Sequence, residues 1–128
     1  MSDITLVMLC AGSSSRFGLK PKKQWLRTEH TPLWLFVTKR LSSYYSFANI
    51  IVVSAVEELN YMQNFEDSFL YVAGGKTRQH SMQNALKHVT TPYVMISDVA
   101  RTCVPQTVIE NLIAQKGNAD CIVPYLNV

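Results

Sequence analysis

A chain of 128 residues, 48% apolar and 16% charged, has the composition of one globular domain and leaves no room for a second core. No apolar run nears the roughly 20 residues of a membrane helix, and the opening residues lack the basic region of a secretory signal. A cytoplasmic chain without a membrane partner is therefore expected. A net charge of +3 is too small to announce a nucleic-acid partner. Cys10, Cys103 and Cys121 form no CxxC pair, so they read as buried free thiols rather than zinc ligands or a disulfide framework.

Residues 4–10 (ITLVMLC) are an unbroken apolar run, the pattern of a strand buried on both faces of a parallel sheet. A small, polar loop follows at once. Thr31 and Pro32 predict the N-cap and first-turn proline of a helix over 32–45, with Leu33, Phe36, Val37, Leu41 and Tyr44 at helical spacing. Residues 49–54 (NIIVVS) predict a second strand, 57–65 a short helix and 69–72 a third strand. Beyond Gly74 and Gly75, the stripe of Met82, Ala85, Leu86 and Val89 predicts a helix of about ten residues. Residues 93–97 (YVMIS) predict a fourth strand. Thr102 and Pro105 announce a helix carried by Val108, Ile109, Leu112 and Ile113 and stopped at Gly117. Residues 121–125 (CIVPY) predict a fifth strand, with Pro124 at an edge or bulge. Trp25, Trp34, Tyr44 and Tyr45 read as core rather than as a base-stacking platform. Strands alternating with helices predict an α/β fold with a doubly wound, mostly parallel, Rossmann-like sheet. The chain ends three residues after an apolar strand, which suggests an incomplete domain of a longer protein.

In such a sheet, ligands bind beyond the carboxyl ends of the strands, and three loops with unusual content leave those ends. The first is Ala11-Gly12-Ser13-Ser14-Ser15-Arg16-Phe17-Gly18, continuing to Lys22-Lys23-Gln24. Its small residues allow backbone N–H groups close to an anion, and its hydroxyls add donors. No acid lies between Asp3 and Glu29, while Arg16, Lys20, Lys22, Lys23 and Arg27 fall within twelve residues. Either a polyphosphate site or a solvated basic loop fits that run; its place after the first strand favours the former. Neither a Walker A loop nor GxGxxG is present. The second loop, Gly74 to Ser81, has paired glycines before a helix N-terminus that favours negative charge; an ordinary strand-to-helix turn is the alternative. In the third, Asp98 is the one acid of nine that immediately follows an apolar strand. It suits a ribose hydroxyl or a phosphate-borne metal, or else an Asx-turn or a local Asp–Arg pair. Together the three loops favour nucleotide binding.

Leu9-Cys10-Ala11-Gly12-Ser13-Ser14-Ser15-Arg16 resembles the L-A-A-G-x-G/S-x-R signature of the 2-C-methyl-D-erythritol 4-phosphate cytidylyltransferases. Lys22-Lys23-Gln24 resembles their P-K-Q element, Gly74-Gly75 with Arg78 and Ser81 their G-G-x-x-R-x-x-S, and Ser97-Asp98-Val99-Ala100-Arg101 their H-D-A-A-R. All four agree in order and spacing. The variants look most like bifunctional members fused to 2-C-methyl-D-erythritol 2,4-cyclodiphosphate synthase. The resemblance implies transfer of CMP from CTP to 2-C-methyl-D-erythritol 4-phosphate, with magnesium as cofactor, pyrophosphate as product and a homodimer at full length. It makes residues 1–128 the N-terminal nucleotide-binding portion of a cytidylyltransferase domain. It places Arg16 and Lys23 on the transition state, and Ala11, Gly12, Ser13, Ser14, Gly74, Gly75, Arg78, Ser81, Asp98 and Ala100 on the nucleotide. Gly75 and Ser81 face cytosine, Asp98 and Ala100 the ribose or the metal side, and Arg101 the acceptor. Departures from the pattern are Cys10, Ser14, Lys22, Lys76, Ser97 and Val99; none falls on Arg16, Lys23, Asp98 or Arg101. Another nucleotidyltransferase with a similar first loop, such as a molybdopterin-type enzyme, is the alternative, and the Gly-Gly-x-x-Arg-x-x-Ser segment argues against it. A non-catalytic nucleotide-binding fragment is the second class of reading.

Overall fold

The computed structural model describes residues 3–10, 27–28, 31–98, 105–119 and 121–122. All six residues of β1 (Ile4–Leu9) are buried, as the unbroken apolar run requires. They divide by alternation between two cores. Leu6, Met8 and Cys10 face one, Val7 and Leu9 the other. A sheet covered on both faces explains why this strand has no polar side. Only Thr5 carries a hydroxyl there, and it meets the Thr91 hydroxyl at 2.7 Å.

A minimal antiparallel pair, β2 (Arg27–Thr28) with β3 (Thr31–Pro32), leads into α1 (Leu33–Tyr44). Next come β4 (Asn49–Ser54), a 3-10 turn (Val56–Glu58), α2 (Leu59–Phe65) and β5 (Leu70–Ala73). Then follow α3 (Arg78–Leu86), β6 (Tyr93–Asp98) and α4 (Gln106–Ala114). The four long strands are parallel in the order β5-β4-β1-β6. Helices α1, α2 and α4 contribute Trp34, Leu41, Met62 and Ile109 to one core. Helix α3 covers the other face with Ala85 and the partly buried Met82. Trp34 is the largest fully buried side chain among the described residues, and its ring meets Phe65 and Tyr71 edge-on at 6.3 and 6.2 Å. The doubly wound reading of the sequence is correct.

The amino-terminal edge of the sheet is tied separately. Ile4 and Asp3 carbonyls accept from Ala48 and Tyr93 N–H at 2.9 and 3.1 Å. Lys116 pairs with Asp3 at 2.6 Å and lies over the Tyr93 ring. That hydrogen bond holds the Asp3 carboxyl below its usual range. Gly117, at φ 88°, closes the turn after α4, where a side chain would be strained.

Several expectations shift. Thr31 is not a helix cap: Thr31 and Pro32 pair with β2, and Pro32 stands at the N-cap without a side-chain hydrogen bond. The fixed proline φ suits either role, and ladder pairing decided it. The third strand begins one residue later than its apolar run, and α3 begins at Arg78, leaving Val89 beyond its end. Strand β6 is half-exposed rather than buried, because among the described residues it is the edge of the four-stranded sheet; Tyr93 and Val94 are each 36% exposed. Cys121 and Ile122 belong to no strand, since an apolar run becomes one only where a ladder partner is taken up, and the rest of 121–125 lies outside the described residues. Cys10 is buried but Cys121 is exposed.

Leu6→Ala in this fully buried strand is expected to cost about 2–5 kcal/mol. Val56→Ala, at a side chain 70% exposed, should stay within about 0.5 kcal/mol. Urea unfolding measures both, and equal costs would mean that β1 is not the centre of the core.

Candidate functional site

Register levels the carboxyl ends of the strands. Leu9 pairs with Val53 on one side and Asp98 on the other, and Ser54 pairs with Ala73. In chain order the strands lie third, second, first, fourth, so the direction in which successive strands are added reverses between β1 and β6, although all four run parallel. That reversal opens a crevice beyond the strand ends, the place where doubly wound sheets bind ligands. The loop after β1 leaves from this point.

The loop after β5 is tied by its own backbone. Gly74 N–H donates to the Ser54 carbonyl at 2.8 Å, and Gly75 N–H donates to Ser81 Oγ at 3.1 Å. Thr77 Oγ1 accepts from His80 N–H at 3.1 Å and caps α3. Asn84 Nδ2 holds the Ala73 carbonyl at 3.0 Å. Gly75 has a steric reason to be glycine: a Cβ there would sit 2.3 Å from the Cβ of His80. The buried Ser81 therefore positions the loop with its oxygen, and its O–H remains a donor. Both glycine N–H groups are committed within the protein, which leaves acceptor carbonyls as the polar backbone of the loop.

An open cleft of about 350 Å³ lies between this loop and the end of β4, lined by Ala55, Val56, Glu57, Gly74, Gly75 and Lys76. Its β4 wall escaped the sequence reading. The rule that directed attention to strand carboxyl ends applies equally to Ala55, Val56 and Glu57, but these residues carry no glycine or basic run to mark them. Behind the wall, Ser54 Oγ donates to Glu58 Oε2 at 3.0 Å. A second hollow, bordered by Tyr71, Asn84, Lys87 and His88, flanks β5 away from the crevice.

Asp98 ends β6, and its Oδ2 is 2.5 Å from Nη1 of Arg78, the first residue of α3. The acid is thus joined to the glycine-rich loop through a partner 20 positions upstream. Cys10 sits below. Burial pushes its thiol well above the usual range, and the Asp98 and Glu58 charges push it further, so it is a neutral packing group and not a nucleophile. Gly74, Gly75, Arg78, Ser81 and Asp98 are therefore grouped at one end of the sheet. Ala11, Gly12, Ser13, Ser14, Arg16, Lys23, Ala100 and Arg101 lie outside the described residues. Among the described residues no cluster of three or more His, Cys, Asp or Glu side chains could cage a metal, and no helix is long and apolar enough to cross a membrane.

A family model for 2-C-methyl-D-erythritol 4-phosphate cytidylyltransferase (IspD) matches residues 4–128. The chain belongs to this family. The bifunctional enzyme IspD/IspF of Aliarcobacter butzleri is 63% identical over all of this chain. The solved bifunctional IspDF from Campylobacter jejuni is 44% identical with a TM-score of 0.93, over 99% of this chain and 34% of that one. Rv0371c from Mycobacterium tuberculosis, solved in complex with manganese, shares the fold at a TM-score of 0.66 and 20% identity, over 89% of this chain and 59% of that one. The chain spans 34% of the length of the Aliarcobacter butzleri relative.

Gly75→Ala is expected to destabilise the protein by about 1–3 kcal/mol through overpacking against α3. In a His80→Gly background the same change should cost less, because the facing Cβ is gone. Thermal or urea unfolding of the four variants measures this coupling. An unchanged penalty would show that His80 is not what restricts position 75.

Proposed function

We propose that this chain is the N-terminal, nucleotide-binding portion of a cytidylyltransferase that transfers CMP from CTP to 2-C-methyl-D-erythritol 4-phosphate in non-mevalonate isoprenoid synthesis. The observation that carries this reading is the crevice itself: the residues after β1 start level with Asp98, with the Gly74–Gly75 loop tied to that acid through Arg78. In the reaction, an acceptor phosphate oxygen forms a bond to the α-phosphorus of CTP. The bond from that phosphorus to the β-phosphate oxygen breaks, and pyrophosphate leaves.

Each residue's part follows from its chemistry. Backbone N–H groups of Ala11 and Gly12 and the hydroxyls of Ser13 and Ser14 cradle the triphosphate. Arg16 and Lys23 stabilise the added charge of the transition state, where transfer depends on positioning and electrostatics. The carbonyls of Gly74 and Gly75 accept from the exocyclic amine of cytosine, and the Ser81 hydroxyl donates to the pyrimidine edge. Asp98 and Ala100 face the ribose, and Arg101 faces the acceptor. A divalent cation, read as magnesium, fits as an ion carried by phosphates: Asp98 offers one carboxylate, 34% exposed, where an all-protein cage would need several. When bound, such a cation neutralises and orients the triphosphate. At full length the protein is read as a cytoplasmic homodimer fused to the cyclodiphosphate synthase, with neither nucleic acid nor membrane as a partner.

In the full-length protein, Arg16→Ala and Lys23→Ala should each lower pyrophosphate release from CTP and the acceptor by about 100-fold or more, the loss of a charge-assisted transition-state contact of about 3 kcal/mol. GTP should not replace CTP. A coupled pyrophosphate assay decides both, and near-normal turnover in either variant would remove these roles.

A further inference from the structure

Arg78 stands where a helix least favours a cation. It is the first residue of α3, at the positive end of the helix dipole, and no acid occupies that first turn. Its contact with Asp98 does not explain it as a stabilising device, because the two side chains are 59% and 34% exposed and such pairs add little to stability. A locally unfavourable charge at a ligand-facing edge points to function.

The surroundings say which function. Among the described residues, this is the ion pair at the carboxyl ends of the strands; Lys116–Asp3 ties the opposite edge. Three acids gather near the crevice mouth: Glu57 on the cleft wall, Glu58 behind it and Asp98 beside the end of β1. Glu58 is held by Ser54, Lys76 shares the cleft with Glu57, and Arg78 holds Asp98. Of the three, Asp98 is level with the last residue of β1, where the phosphate loop departs. A bare carboxylate there would repel a polyphosphate.

We propose that Arg78 is a positioning residue that acts through Asp98, neutralising the carboxylate and fixing one of its oxygens so that a nucleoside triphosphate can enter the crevice. This rests on the reading of the crevice as the CTP site. It assigns Arg78 a partner in the protein rather than on the nucleotide.

The test is CTP affinity by calorimetry on the full-length protein, in EDTA and in magnesium, together with steady-state kinetics. Arg78→Ala should weaken CTP binding in EDTA about tenfold, the effect of one uncompensated charge near the phosphates. The KM for CTP should rise in step while kcat changes by less than about threefold, and Arg78→Lys should recover most of the loss. Adding Asp98→Asn to Arg78→Ala should recover part of the lost CTP affinity in EDTA, because the repelling charge is gone while the amide oxygen still accepts from the ribose. Thermal midpoints should be nearly equal throughout. If Arg78→Ala binds CTP normally in EDTA, or Asp98→Asn restores nothing, Arg78 does not act through Asp98. A wild-type protein that fails to bind CTP would overturn the reading of the crevice, and the proposal with it.

Discussion

The double ladder of β1 is the constraint on which the other features depend. Its backbone is paired on both edges, to β4 and to β6, so Leu9 is level with Val53 and with Asp98. Its side chains are divided between two apolar cores, and slipping the register by one residue would exchange those faces. Both faces being apolar, the strand would tolerate the exchange in polarity but not in shape. Hydrogen bonds at the amino-terminal edge, from Ala48 and Tyr93 to the Ile4 and Asp3 carbonyls, remove that freedom. With the strand fixed, the carboxyl ends are fixed as well, and so are the starts of three loops.

On this platform the loops are ordered by different means. The glycine loop is held by its own N–H groups, the capping Thr77 and the buried Ser81. The end of β6 is held by charge, through Arg78. The two devices meet in α3, whose first turn both caps the glycine loop and reaches the acid. Burial and neighbouring carboxylates keep the Cys10 thiol at the end of β1 neutral. The proposed function uses this arrangement to bind and orient anionic groups and leaves the chemistry to positioned charge, as phosphoryl-type transfer requires.

Strands inside the sheet were legible because burial on both faces leaves an unbroken apolar run. Residues 49–54 and the span from Ile4 matched to within a residue for this reason. At the margins the same signal misleads. Residues 93–97 look as buried as β1, yet among the described residues β6 is an edge strand, since composition does not say which strand has neighbours on both sides. Thr31-Pro32 satisfies a capping pattern and a short ladder equally well, and only the position of Arg27 and Thr28 separates them. The candidate loops were legible through glycines and charge, and Gly74, Gly75, Arg78, Ser81 and Asp98 do share one edge. Hidden from the sequence were the β4 wall of the cleft and the Arg78–Asp98 contact, because a pairing across 20 residues depends on strand order.

The most direct test of the central claim, that nucleotide enters at the carboxyl ends beside β1, is amide hydrogen–deuterium exchange of the full-length protein with and without CTP and magnesium. The account predicts slowed exchange across residues 11–23, 74–81 and 98–101, with Ala48 and Tyr93 at the opposite edge unchanged. Protection confined to the β5 flank around Tyr71 and His88, or none at the three loops, would contradict it.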